Sequence, residues 1–269
     1  MSSFSIAYRG VKAVALLAGA TLICGFTFRE GGPPELHYAD YNAKPPLGNT
    51  VSVCHAHGCQ KQISFTFTGD DISDLSVLMD YARNSDTAPE ERRAIAYAIA
   101  WMERRVGPST GTANDRASLG LMNASGQLDC VDEATNATSY LLVLQNNGLL
   151  RHHTVIRPFS KASFFKWPHM AAMIRTRSNS QVYAVDSGVG PNGANPAITL
   201  ASDWYISEWG ASSVPVPVPA RPLAPVTAQP QFRDQGSDNL GQLVQQILQD
   251  EATSSRPPMM AGYDARRIR

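Results

Sequence analysis

The sequence predicts an α+β domain in which a helix with a cysteine at its start packs on an antiparallel sheet. Three observations lead there. Helical patterns fill the earlier part of the central region and strand patterns the later part, an order that favours α+β over a doubly wound sheet. One helix has clear start and stop signals, Asp129 before it and Asn147-Gly148 after it. Two strand patterns are joined by Ser178-Asn179-Ser180, which reads as a hairpin turn.

The elements follow in chain order. Arg9 and Lys12 precede an uncharged apolar run over residues 13–28, which reads as a signal peptide or N-terminal anchor spanning 1–28. The run falls short of the roughly twenty residues a spanning helix needs. Ala18-Gly19-Ala20 offers a cleavage site, and Ile23 is too bulky for the residue before a lipoprotein cysteine at Cys24. Export is therefore expected, to periplasm or medium, or with membrane attachment through residues 11–28. Residues 29–50, rich in Gly, Pro and Asn, read as a linker. The domain proper is expected over 51–212, a proline-rich linker over 213–236, and a short helix with a disordered tail over 237–269.

Within the domain, residues 63–68 alternate apolar and polar and predict a half-buried strand. Gly69-Asp70-Asp71 opens a helix with Leu75, Leu78, Met79 and Ala82 on one face. Thr87-Ala88-Pro89-Glu90 predicts a capping box for a helix running through Ile95, Ile99 and Met102 to Gly107-Pro108. A Gly-, Ser- and Asn-rich loop over 108–128 delivers the chain to a helix marked by Ala134, Ala137, Leu141 and Leu144. Strands are predicted over 152–157, 169–177 and 181–186, with a further short one over 204–209.

The 269 residues carry no net charge and are 43% hydrophobic, enough for a core. Neither nucleic acid nor an anionic membrane surface is expected as the main partner. Cys54 and Cys59 are close enough to pair in an oxidising compartment. Cys54-His55-Ala56-His57-Gly58-Cys59 is too cramped to surround one tetrahedral ion, so a disulfide is favoured there over a metal site. That leaves Cys130 as the odd thiol of an exported protein, a candidate reactive group.

Cys130 sits where a loop becomes a helix, and a helix N-terminus favours the thiolate. Asp129, Asp132 and Glu133 oppose that, so an imidazole is required to take the proton. His169, on a predicted strand, supplies it, and Asp186, ending the next strand, can orient the imidazole. The oxyanion would be met by the Cys130 N–H and a side-chain donor, with Gln127, Asn114 and Trp101 as candidates.

Leu128-Asp129-Cys130-Val131-Asp132-Glu133-Ala134 opening a helix, His169-Met170-Ala171 on a strand and Val185-Asp186-Ser187 ending the next resemble the transglutaminase-like cysteine protease superfamily, including its bacterial exported members. The likeness covers roughly residues 85–210. It implies a papain/transglutaminase-like fold, with Cys130 as nucleophile, His169 as base and Asp186 as orienter. It also implies attack on amide carbonyls of a protein or peptide substrate. Some bacterial relatives bind calcium through acidic residues flanking the cysteine. Asp129 fits that position and Val131 does not, so no cofactor is expected. The resulting expectation is an exported peptidase or amidase. Its rivals are amide exchange of transglutaminase type, a non-catalytic envelope-associated binding module, and a metal-binding protein centred on Cys54 and Cys59.

Overall fold

The computed structural model describes residues 32–116, 126–163 and 166–207, without the side chains of 162–163 and 166–167. The signal or anchor, the proline-rich linker and the C-terminal tail lie outside the described residues. The described chain is mixed α and β with two antiparallel sheets. In order come α1 (Glu35–Asp40), β1 (Thr50–His55), β2 (Lys61–Thr66), α2 (Gly69–Ala82), α3 (Ala88–Thr110) and α4 (Cys130–Asn146). Then follow β3 (His153–Ser163), β4 (Lys166–Thr176), β5 (Val182–Asp186), β6 (Ala197–Leu200) and α5 (Ala201–Ile206). β1 and β2 form one sheet, and β3-β4-β5-β6 form the other in sequence order.

Helix α4 is the centre of the domain. Every residue from Asp132 to Leu144 is buried, so it shows no polar stripe of the kind a surface helix carries. It packs against β1, β3, β4 and α3. The core joins Val51 and Val53 of β1, Leu75 and Leu78 of α2, Ile95 and Ile99 of α3, Leu141 and Leu144 of α4, and Ile174 of β4.

Several local expectations meet a different outcome. Within the span expected as a linker, Glu35–Asp40 form the docked helix α1. Tyr38 shares a hydrogen bond with Ser139 (2.8 Å) and His37 with Thr135 (2.7 Å), which docks α1 on α4. Burial, and then the positive charge of Arg157, push His37 down to about 4, so it sits there neutral. The Thr87 side chain makes no cap; the Glu90 carboxylate accepts the Asn84 N–H instead. Helix α3 runs past Gly107-Pro108 to Thr110, and left-handed Gly111 (φ 78°) ends it. β1 escaped notice because four successive residues in it are buried, which erases alternation. β3 continues beyond the predicted end at residue 157 through an irregularity between Ile156 and Phe159, where Pro158 cannot donate to a ladder. Residues 197–200 form β6, and Trp204 lies on helix α5 rather than on a strand.

Other readings match. Asp129 caps α4 and forms a capping box with Asp132. Ser180, at φ 59°, turns the β4–β5 hairpin, with Thr176 N–H on Gln181 O (2.8 Å). Glu91, wholly buried on α3, accepts the N–H groups of Arg151 (2.6 Å), His152 (2.9 Å) and His153 (3.0 Å) and meets His153 Nδ1 (3.0 Å), which fixes the entry to β3. Among the described residues no helix is long and apolar enough to cross a membrane.

Candidate active site around Cys130

Cys130 is the first residue of α4, and its placement is set by the cap beneath it. Asp129 Oδ1 accepts the N–H groups of Val131 (3.1 Å) and Asp132 (2.8 Å), and Asp132 Oδ2 reaches back to the Asp129 N–H (3.3 Å). The half-buried thiol then meets β4. Its Sγ donates to Pro168 O (3.6 Å) and accepts from the Met170 N–H, so the sulfur rests on the backbone at both sides of His169. The Cys130 N–H also points at its own sulfur.

His169 Nε2 donates to Asp186 Oδ2 at 2.7 Å, and both residues are buried. Trp204 Nε1–H donates to the same oxygen at 2.8 Å, and the indole ring lies 5.8 Å from the imidazole. A carboxylate oxygen accepting from Nε2 fixes the tautomer with its lone pair on Nδ1. The buried Lys161 ammonium holds the other end of this assembly, on the carbonyls of Trp204 (2.8 Å) and Ser207 (3.2 Å) and 4.5 Å from the indole ring. β4, β5, α5 and the start of α4 thus bring Cys130, His169 and Asp186 into one place.

The thiol rests in its neutral form. Burial pushes Cys130 up to about 11; the Met170 N–H pulls it down, and the charges of Asp129 and Asp186 push it further up. The helix N-terminus alone does not overcome them; burial is the first cause, and of the acidic residues expected to oppose the thiolate only Asp129 acts, beside Asp186.

A second polar cluster lies beside the first. Glu103 on α3, Asp115 in the loop after it and Glu133 on α4 interact closely. Burial raises all three, Glu103 to about 8. Glu133 shares a hydrogen bond with Asp115 and accepts Ser187 Oγ–H (3.0 Å). Glu103 accepts the Gly193 N–H (2.8 Å), and Asp115 accepts the Leu128 N–H (2.7 Å). These contacts pin the loop after β5, whose Gly188 runs alongside His169 and Asp186.

The three oxyanion candidates fare differently. The Gln127 amide closes its own loop, accepting the Arg116 N–H (3.0 Å) and donating to Asn114 O (2.8 Å). Asn114 is exposed, and Trp101 is packed in the core. Tyr41, just past α1, was not anticipated. Burial raises its phenol first; the Cys130 sulfur, Asp40 and Asp129 act in the same direction and Arg157 against them, so it stands within electrostatic reach of the thiol. Pro34-Glu35 was the available signal, a proline and an acid at a helix start. Trp204 was available too, through the helical spacing of Ala201 and Trp204.

Cys54 and Cys59 are joined as a disulfide, which takes both sulfurs away from any metal. Among the described residues no group of three or more His, Cys, Asp or Glu is arranged to hold an ion. The oxygens of Asp129 and Asp132 face N–H donors.

No family model, curated protein or solved structure matches this chain.

Proposed function

We propose that this chain is an exported cysteine hydrolase of transglutaminase-like type, a peptidase or amidase working through Cys130, His169 and Asp186. The observation that carries the reading is the Cys130 sulfur seated on the backbone that flanks His169, whose Nε2 bonds Asp186. With the thiol neutral at rest, the proton moves as substrate arrives. His169 Nδ1 takes it, Sγ attacks the amide carbonyl, and the imidazolium returns the proton to the departing amine. Water then resolves the acyl-thioester by the same base. The Cys130 N–H is the first oxyanion donor. The Tyr41 hydroxyl is the candidate for the second, since the Gln127 amide is spent on its own loop. A protein or peptide is the substrate class that this chemistry serves. The Cys54–Cys59 disulfide suits an oxidising compartment and supports export.

One observation favours the rival reading of a non-catalytic module. The thiol proton lies on Pro168 O, as in a structural cysteine. Burst release of p-nitrophenolate from p-nitrophenyl acetate, followed by a screen of peptide amides, separates the two. Acylation at Cys130 that is lost in both Cys130→Ala and His169→Ala supports the hydrolase. Acylation that ignores His169→Ala leaves the binding module.

A further inference from the structure

Residues 56–59 form a run of four left-handed residues, with φ of 68° at Ala56, 69° at His57, 67° at Gly58 and 59° at Cys59. Three of them carry side chains, and each such residue costs about 1–2 kcal/mol. A run like this persists only where its surroundings over-determine it. Two constraints do so here. The Cys54–Cys59 disulfide closes the turn, and Asn136 of α4 grips its base, accepting the Cys54 N–H (2.7 Å) and donating to Cys54 O (2.9 Å).

The conformation aims successive N–H groups at one place, as anion cradles do. His57 N–H donates to Asp132 Oδ2 (2.9 Å), Gly58 N–H to Asp129 Oδ2 (3.0 Å) and Cys59 N–H to Asp132 Oδ1 (2.7 Å). His57 Nδ1 adds a contact to Asp129 Oδ2 at 2.9 Å. The acceptors in this cradle are the two carboxyl groups that cap α4 around Cys130.

We propose that the Cys54–Cys59 turn positions the nucleophile, and that its oxidation state sets the reactivity of Cys130. The inference rests on reading Cys130 as the nucleophile. A dithiol reductant delivers two electrons and two protons: the S–S bond breaks, Cys54 and Cys59 become thiols, and the reductant closes to its own disulfide. The left-handed run then loses its closure and relaxes, withdrawing its donors from Asp129 and Asp132. The charge of Asp129, which already raises the thiol, then acts on the sulfur with less offset, and the first turn of α4 loosens. The other groups facing Cys130 are His169 from β4, Asp186 from β5 and Tyr41 beyond α1. The turn's hydrogen bonds run to Asp129, Asp132 and Asn136, so the change enters through the two carboxyl groups.

The test is iodoacetamide alkylation of Cys130 against pH, read by peptide mass spectrometry so that Cys24, Cys54 and Cys59 are resolved from it. The oxidised full chain is compared with the Cys54→Ser/Cys59→Ser chain. The open turn should move the midpoint up by about one unit, about tenfold slower alkylation below it. Adding Asp129→Asn to the open chain should recover the rate, since Asn still caps a helix without the charge. A merely structural disulfide would not respond to that rescue. His57→Ala keeps the disulfide and removes one exposed donor, so it should shift the midpoint in the same direction by less, even if the doubly substituted chain fails to fold. Equal midpoints in oxidised, open and His57→Ala chains overturn the proposal. Failure of the hydrolase reading shows separately, as oxidised-chain alkylation indifferent to His169→Ala.

Discussion

Replacing Asp186 by Asn tests the geometry of the site most directly. A single oxygen, Oδ2, accepts both the His169 and the Trp204 N–H, while Oδ1 has no hydrogen-bond partner among the described residues. In Asp186→Asn the two donors select the amide oxygen for the Oδ2 position, and the amide nitrogen takes the other. The imidazole therefore keeps its tautomer and loses only the charge that stabilises the imidazolium. A hydrogen bond to a charged group contributes about 1.5–3 kcal/mol. The expected fall in kcat on p-nitrophenyl acetate is then roughly 10- to 150-fold, with KM unchanged. The Asp186 carboxylate also pushes the resting thiol up. The alkylation midpoint of Cys130 should consequently move down in the same variant that turns over more slowly. A fall of about ten-thousandfold, the mark of a flipped tautomer, would refute the reasoning. So would an unchanged kcat, or a midpoint that rises.

Three further outcomes are expected. Trp204→Phe keeps a ring beside His169 but removes the second donor to Asp186 Oδ2, so kcat should fall about tenfold or more at constant KM; steady-state kinetics beside a thermal melt check that the loss is not one of folding. Glu91→Ala strands the buried His153, both its N–H and its imidazole, and two half-buried N–H groups, and should cost about 3–5 kcal/mol in urea unfolding, a loss under 1 kcal/mol counting against this account. Stability should decline from pH 6.5 to 8. Burial raises Glu103 to about 8 and Asp132 to about 7, whereas carboxyls in the unfolded chain ionise near pH 4. The native state thus holds more protons in that window, and stability drains away as pH rises through the folded values. His37, depressed to about 4, acts with the opposite sign and only below about 6.5. Melting temperatures across the window should slope downward in the native chain and less steeply in Glu103→Gln, which leaves the Asp132 contribution.

Helix α4 was legible in the sequence because its signals are local: a capping aspartate, apolar spacing and Asn-Gly at the end. The hairpin of β4 and β5 was legible for the same reason, and the cysteine, histidine and aspartate follow from those elements. What stayed hidden depends on tertiary context. β1 is buried on successive residues, so its period vanished. Glu103 and Glu133 look like ordinary surface charges in the sequence, since nothing local shows that α3 and α4 enclose them. Tyr41 and Trp204 reach the site only through the docking of α1 and α5, short helices whose few residues carry little pattern. The extension of α3 past Pro108 reflects a glycine three residues later that suits the left-handed stop better than Gly107.

The burial of α4 on nearly every side carries a consequence for when the thiol becomes competent. A helix of this length is marginal by itself in water, and its inward residues include Thr135, Thr138 and Ser139, whose hydroxyls turn back onto helix carbonyls. It gains its permanence only when the hairpin of β1 and β2, the larger sheet and α3 have all closed on it. A chain still in transit, or nicked in any of those layers, holds its cysteine on a fluctuating segment with no imidazole beside it. On the proposed hydrolase reading, assembly of the reactive centre is in this way tied to completion of the whole domain, and an unfinished molecule is silent without any separate inhibitor.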